Sequence, residues 1–181
     1  LMNIACIIHA FLYTVLTVYV ILFQQVPVSS FFIGSQYFFM DHLGLFEVLI
    51  ASVIFTCAAL YAGGYVESLL MSGELEKGSL KLFYASWAML LLVLVLAFFS
   101  DNLALFWICA ELTTVLSAML VAILSARENI DAAIKYIFIA SASMLFSFVG
   151  LIFLFETSRS VLGNGTLNWT ELMQHAATFP P

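Results

Sequence analysis

Charged residues are scarce in this chain of 181 residues, at 9%, where soluble domains average about 25%. Lysine and arginine together number five and form no basic patch, so we exclude nucleic acid as a partner. The three cysteines, Cys6, Cys57 and Cys109, lie singly inside apolar runs. This spacing indicates neither a disulfide framework nor a paired metal site, so we expect three small buried side chains and no bound metal.

Apolar residues make up 64% of the chain, and the mean hydropathy is +1.12. A helix that crosses a bilayer needs about 20 mostly apolar residues. Five segments meet this condition: 4–23, 45–63, 80–99, 102–124 and 132–156. We therefore predict an all-α fold, a polytopic transmembrane helix bundle of about five spans, in an integral multi-pass membrane protein that contacts the lipid bilayer.

The connections between these spans differ in character. The first is turn-rich, with alternating aromatic residues, and either forms a short hairpin or lies at the membrane interface. The second, "GGYVESLLMSGELEKGS", is predicted to be polar and flexible, and the other two are short. The tail 157–181 is predicted to hold a short amphipathic helix, capped near Asn168 with Glu171 three residues later.

Loop cations predict the orientation of the bundle. Lys77, Lys81 and Arg127 lie in or beside the second and fourth connections, which share one face of the membrane. The opposite face has only Arg159. Because cytoplasmic loops carry the excess of lysine and arginine, we expect the second and fourth connections inside and the tail 157–181 outside, as an extracytoplasmic segment.

Glu111 lies near the middle of the predicted span 102–124. An ionised side chain there costs about 3 kcal/mol or more, so such an acid faces a bundle interior or a hydrated cavity rather than lipid. Burial favours the neutral acid and a nearby cation favours the carboxylate, and that competition would let the group load and release a proton. The alternative is a protonated acid that makes one structural hydrogen bond.

The helical wheel of this span supports an inward-facing Glu111. The same face carries mostly small or partly polar side chains: Ala104, Trp107, Thr114, Ala118 and Ala122. Small side chains let another helix or a chain of water molecules come close. The opposite face is predicted to contact lipid: Phe106, Leu116, Leu120 and Leu124.

Lys135, inside the predicted span 132–156, is the candidate partner cation. Beside its face lies a small, partly polar stripe of Ser143, Ser147 and Gly150. A short turn joins the helices of Glu111 and Lys135, so we expect antiparallel neighbours, with a depth difference of about 10 Å between the two residues. Contact would need a long side chain reaching inward or water between them. The alternative is a lysine that snorkels to the interface.

Other polar and aromatic residues near the spans are interpreted as structural. We expect His9 to be packed or interfacial, and Trp87 and Trp107 to pack or to lie in an aromatic belt. Four acids near span ends are expected to be solvated: Asp41, Glu47, Asp101 and Glu156.

The segment 96–155 combines the intramembrane glutamate in "AELTT", a short turn and the helix opening "AAIKY". Together with "YFFMDHLGLFEVLI" and the residues that follow it to Ser68, this segment resembles a known family. The family is that of the antiporter-like membrane subunits shared by respiratory complex I, group 4 membrane-bound nickel–iron hydrogenases and multi-subunit cation/proton antiporters. The elements around Glu111 and Lys135 are most similar to the hydrogenase-4 and formate hydrogenlyase branch.

The resemblance implies a larger antiporter-like fold with inverted repeats, of which this chain would supply part of the first half-channel. Glu111 and Lys135 would transfer protons, with sodium left open as the ion. The chain would be a non-redox, ion-translocating subunit of an NADH dehydrogenase-like or hydrogenase-like oxidoreductase. Its partners would be other membrane-arm subunits, its location a prokaryotic cytoplasmic membrane, and it would bind no cofactor. The sequence stops before the family's lysine-bearing broken helix, so we expect either a companion chain or an incomplete sequence.

Two other functions fit the same residues. A subunit of a secondary cation/proton antiporter, without a redox partner, would have the same helices. A structural membrane subunit would leave transport intact when Glu111 is replaced by Gln. A membrane protease or acyltransferase is disfavoured, because no nucleophile is paired with a base.

Overall fold

The computed structural model describes residues 1–23, 29–30, 37–124 and 127–179. Five helices in this part of the chain are long and apolar enough to cross a membrane. They are α1 (Met2–Phe23), α2 (His42–Ser72), α3 (Leu80–Phe98), α4 (Leu103–Ala122) and α5 (Arg127–Leu162). The prediction of an all-α transmembrane bundle is confirmed.

Shorter elements occupy the connections. In the first connection, β1 (Ser29–Ser30) pairs antiparallel with β2 (Phe39–Met40), as a short hairpin would. The predicted hairpin loop falls on residues 31–36, outside the described residues. A 3₁₀ turn, Lys77–Ser79, precedes α3, and α6 (Trp169–Gln174) follows α5 and leads into a second turn, Ala176–Thr178.

The five long helices pack in an ordered series. The first three helices pack together, α4 packs against α3, and α5 packs against α4. Buried side chains from the first three helices form one core: Ala10, Val48, Leu91 and Val95. A second cluster, Val93, Ala97 and Cys109, closes the seam between α3 and α4. In α5, by contrast, the buried residues are Ala133 and Ser158, so this helix is the outermost of the series.

The two ends of the bundle have different chemistry. At one end, the buried cluster of Val66, Leu69 and Leu75 packs with Ile123 and Leu124, so the α2–α3 connection and the end of α4 lie together. We call this the basic end, because it includes Lys77 and Lys81. The other end, called the tail end, contains the α3–α4 turn and the chain after α5.

The predicted flexibility of "GGYVESLLMSGELEKGS" is wrong for its first part, which continues α2 to Ser72. Val66 and Leu69 are buried there, so this turn of helix contributes to packing. Gly63 lies where α1 comes close, since a Cβ atom there would stand 2.9 Å from Asn3 Nδ2. α2 ends at Gly73, whose φ of 76° is readily adopted only by glycine.

α5 extends beyond the predicted span 132–156 at both ends. Its 36 residues correspond to about 54 Å, more than the hydrocarbon core of a bilayer. The helix ends at Leu162, and Gly163 follows with a φ of 80°. The region predicted as tail, 157–181, therefore begins as the last turns of α5.

Two burial predictions were partly wrong. Cys6 and Cys109 are buried, but Cys57 is exposed on α2. On α4, Phe106 is exposed as predicted, whereas Leu116 packs against the α3–α4 cluster. The helical wheel could not distinguish a leucine that faces lipid from one that packs against α3, because both surroundings are apolar.

Candidate functional site

Glu111 is positioned by the start of α4. Asn102 caps this helix, and its side-chain oxygen accepts hydrogen bonds from the backbone N–H groups of Ala104 and Leu105, at 3.1 and 3.2 Å. The helix then continues without interruption to Ala122, with Glu111 near its middle. The side chain of Glu111 is half-buried and faces α5, as the wheel predicted.

The two carboxyl oxygens of Glu111 have different surroundings. The Ser141 hydroxyl donates a hydrogen bond to Oε1 at 2.6 Å. Oε2 is buried and has no hydrogen-bond partner among the described residues. An unpartnered buried polar atom is costly, so this oxygen is a place where a proton or a small polar ligand can bind.

Trp107 fixes the register of α4 against α5 one turn from Glu111. Its indole N–H donates to the backbone carbonyl of Met144 at 3.0 Å. Its ring also packs against Phe148, with 5.1 Å between the ring centroids. These contacts explain why Trp107 lies on the Glu111 face, and they align Ser141 with the carboxyl group.

The tail-end side of Glu111 is apolar. Beyond Trp107, a cavity of about 350 Å³ separates α4 from α5. Its lining is apolar: Ala104, Trp107, Ile108, Phe148, Leu151, Ile152, Phe155 and Leu167. This space is an open groove, and its apolar lining offers water few partners.

The basic-end side of Glu111 carries hydroxyl groups. Thr113, Thr114 and Ser117 follow along α4, and each donates to a backbone carbonyl oxygen of its own helix at 2.7 Å. Their oxygen atoms remain able to accept hydrogen bonds. Of the three, Thr114 lies near the face of Glu111, whereas Thr113 and Ser117 lie about 160° and 120° around the helix axis from it.

Lys135 does not contact Glu111. It is exposed on α5, six residues before Ser141, which is about 9 Å along the helix axis. Among the described residues, the one salt bridge joins Arg159 to Glu156 at 3.8 Å, and both side chains are largely exposed. The expected difference in depth is therefore present, and the two proton-transfer candidates are separated. The predicted stripe of Ser143, Ser147 and Gly150 is exposed.

Ser141 is the site residue that the sequence reasoning missed. Glu111 and Ser141 lie equally far in sequence from residue 126, inside the short fourth connection. Antiparallel neighbours bring together residues at equal distances from such a turn, so counting the register would have paired them. The predicted stripe of small residues was placed relative to Lys135, which lies on a different face of α5 from Ser141.

Asp101 corrects a prediction, because it is buried rather than solvated, with 7% exposure. Its Oδ1 accepts from the backbone N–H of Thr170 at 3.0 Å, and its Oδ2 accepts from the Thr170 hydroxyl at 2.7 Å. The backbone carbonyl of Asp101 also accepts from Trp169 N–H at 2.8 Å. Both oxygens of this acid are therefore occupied by the tail.

The predicted capping of α6 is also different. Asn168 is the residue before α6, but its side-chain oxygen accepts from Asn102 Nδ2 at 2.7 Å rather than from the helix. Glu171 accepts from the Thr166 hydroxyl at 2.6 Å. Asp101 bonds the free N–H of the first turn instead, because the tail folds back over the α3–α4 turn.

The remaining predicted residues have structural positions. Asp41 caps α2 by accepting from Gly44 N–H at 2.7 Å. His9 is half-buried, and its ring lies edge-on to Tyr13 with 5.1 Å between centroids. Trp87 packs on the core of the first three helices. No group of three or more His, Cys, Asp or Glu side chains within residues 1–23, 37–124 and 127–179 could hold a metal ion.

The chain matches no protein-family model. It is similar to a protein described as "Hydrogenase-4 component F homolog" from Methylacidiphilum infernorum (isolate V4), with 27% identity over 159 residues. The match covers 87% of this chain and 32% of that protein, so the chain spans about a third of the length of this relative. The similarity supports the antiporter-like membrane subunit family that the residues around Glu111 and Lys135 resemble.

Proposed function

We propose that this chain is part of a proton-translocating membrane subunit in a redox-driven, hydrogenase-like complex, with Glu111 as the intramembrane proton carrier. The observation that supports this proposal best is the half-bonded carboxyl group of Glu111. A buried polar atom without a partner costs about 1–3 kcal/mol, which a purely structural acid would avoid. In a proton carrier, by contrast, Oε2 stays without another partner so that it can bind and release a proton.

The surroundings of Glu111 support a direction for proton entry. The Thr114 hydroxyl lies one turn from Glu111 toward the basic end, and the apolar groove lies toward the tail end. Protons would therefore reach Glu111 from the basic end, which the loop cations predict to be cytoplasmic. In this proposal the chain is one half-channel, and other membrane subunits provide the path to the opposite face.

Lys135 remains in the proposal as a second proton-transfer residue. About 9 Å along the helix axis separates it from the level of Ser141, so the transfer would pass through water rather than through a direct contact.

The redox part of the proposal depends on the similar protein from Methylacidiphilum infernorum, which is described as a hydrogenase-4 component homologue. Electron transfer in neighbouring subunits would change the electric field around Glu111 and hence its affinity for protons. The partners would be other membrane-arm subunits, and the redox cofactors would belong to them. The location would be a prokaryotic cytoplasmic membrane.

The proposal is tested by proton uptake per transferred electron in inverted membrane vesicles that contain the assembled complex. Glu111→Gln keeps the size of the side chain but cannot carry a proton, so we expect the pumped fraction to fall about tenfold or more. Glu156→Gln is the matched control, because Glu156 is exposed and lies on the same pair of helices. Its ratio should not change.

Other outcomes separate the remaining functions. An unchanged ratio in Glu111→Gln, with the complex assembled, would reject the carrier and favour a structural subunit. Sodium-dependent proton exchange without co-purifying hydrogenase subunits would favour a secondary antiporter.

A further inference from the structure

We infer that Ser141 is a positioning residue for Glu111: its hydroxyl holds Oε1, which leaves Oε2 as the oxygen that gains and loses the proton. The inference rests on the function proposed for Glu111 and adds to it a second residue and an assignment of the two oxygens.

Hydroxyl groups in helices normally bond to their own backbone, and Ser141 does not. Serine and threonine usually donate to the carbonyl oxygen three or four residues earlier. Ser117 does so on α4 at 2.7 Å, and Ser143 does so on α5 at 3.0 Å. Ser141 instead donates across the seam to Glu111. The direction of this hydroxyl is therefore set by the carboxyl group and not by its own helix.

The contact between the two side chains is short. At 2.6 Å, the distance between Ser141 Oγ and Glu111 Oε1 lies at the short end of the range of about 2.5–3.0 Å for hydrogen bonds between a hydroxyl group and an oxygen acceptor. Ser141 therefore holds Oε1 closely, and Oε2 is left as the oxygen without a partner among the described residues.

The neighbouring contacts keep Ser141 in this position. The bond between Trp107 and the carbonyl of Met144 fixes α5 against α4 one turn away. Because side chains in helices occupy few rotamers, the fixed backbone leaves the hydroxyl few alternatives. Ser141 in turn holds the Glu111 side chain, and the buried oxygen Oε2 is thereby kept in one position.

Other titratable groups near this seam do not provide an equivalent contact. Cys109 lies in the α3–α4 cluster, and Lys135 and Tyr136 are exposed on α5. On α3, Lys81 and Tyr84 lie in the first turns, at the basic end. On α5, the remaining charged groups lie near the ends of the helix: Arg127, Glu128, Asp131, Glu156 and Arg159. In the described part of the chain, the hydrogen bond to the Glu111 carboxyl group comes from Ser141.

The inference is tested by infrared difference spectroscopy of the assembled complex in lipid, over a pH series. The carbonyl stretch of protonated Glu111 is identified by its loss in Glu111→Gln. In Ser141→Ala we expect this band to shift in frequency, because the carboxyl group loses its hydrogen-bond donor. Ser141→Thr should restore the frequency, since it keeps the hydroxyl.

Ser143→Ala is the matched control, because it removes a nearby hydroxyl of the same helix that bonds only to Ile139 O in the described chain. Its band should have the same frequency as that of the unchanged chain. The inference is overturned if Ser141→Ala leaves the frequency unchanged, or if Ser143→Ala shifts it equally.

The spectroscopic result can be separated from the proposed function. If Glu111→Gln abolishes pumping while Ser141→Ala leaves the band unchanged, only the positioning role fails. If Glu111→Gln pumps normally while Ser141→Ala shifts the band, the contact holds Glu111, but the assignment of Oε2 as the transport oxygen fails together with the carrier.

Discussion

Asp101 and Glu111 lie about three helical turns apart, and the two acids have opposite surroundings. Asp101, at the tail end, has both carboxyl oxygens bonded to Thr170. Glu111, inside the bundle, has one oxygen bonded to Ser141 and the other without a partner among the described residues. An acid with both oxygens occupied stabilises the fold, whereas an acid with a free buried oxygen can exchange a proton.

The helices around the two acids also differ in how much of their surface is buried. The first three helices enclose a core in which Leu91 is fully buried, and several hydrogen bonds connect the chain after α5 to the α3–α4 turn. α5 has two buried residues and is fixed beside Glu111 by Trp107 and Ser141. The acid that we propose for transport thus lies beside the long helix with the smallest share of buried residues.

Removing the Asp101 carboxyl group should have the largest effect on stability. Asp101→Ala leaves the Thr170 N–H and hydroxyl without their acceptor, so we expect a loss of about 2–3 kcal/mol in the free energy of unfolding. Denaturant titration of the purified chain in detergent micelles would measure it. Glu156→Ala, at an exposed ion pair, is the control and should change the value by less than about 1 kcal/mol. Equal effects of both variants would remove the contrast between Asp101 and an exposed acid.

Ser158→Ala should have the next largest effect on stability. Ser158 is fully buried, accepts from Thr166 N–H at 2.9 Å and joins the end of α5 to the tail. Losing that acceptor should cost about 1–2 kcal/mol and make the tail more accessible to protease. Ser160→Ala is the control, because Ser160 is exposed and bonds to its own helix at Thr157 O. Digestion of the tail at the same rate in both variants would contradict the prediction.

The fold could largely be predicted from the sequence, and parts of the site could not. Each span is long and apolar, so the number of helices and the position of Glu111 follow from hydropathy and helix rise. Ser141 and Asp101 were missed because their roles depend on tertiary contacts, across the α4–α5 seam and with the folded-back tail. The continuation of α2 beyond Gly63 was missed because Gly63 lies where α1 comes close, and that contact cannot be read from the sequence.

Lys135→Met should have the smallest effect of the changes described here. Lys135 is exposed and has no contact with the Glu111 carboxyl group, so its influence acts over distance and through water. We expect proton uptake per electron to fall by less than about threefold, much less than in Glu111→Gln. Lys81→Met, at the start of α3, provides a control for charge at the basic end. A loss as complete as that of Glu111→Gln would indicate a direct exchange between Lys135 and Glu111.

The most direct measurement compares Glu111→Gln with Asp101→Asn in the same preparations of the assembled complex. Two quantities are measured for each variant, proton uptake per electron and the midpoint of thermal unfolding. The account predicts opposite results: Glu111→Gln loses uptake and keeps its midpoint, because the amide still accepts from Ser141. Asp101→Asn keeps uptake in the assembled fraction and lowers the midpoint, because an amide cannot accept from Thr170 at both positions. If Asp101→Asn loses uptake while Glu111→Gln keeps it, the division between a structural acid and a transport acid is wrong.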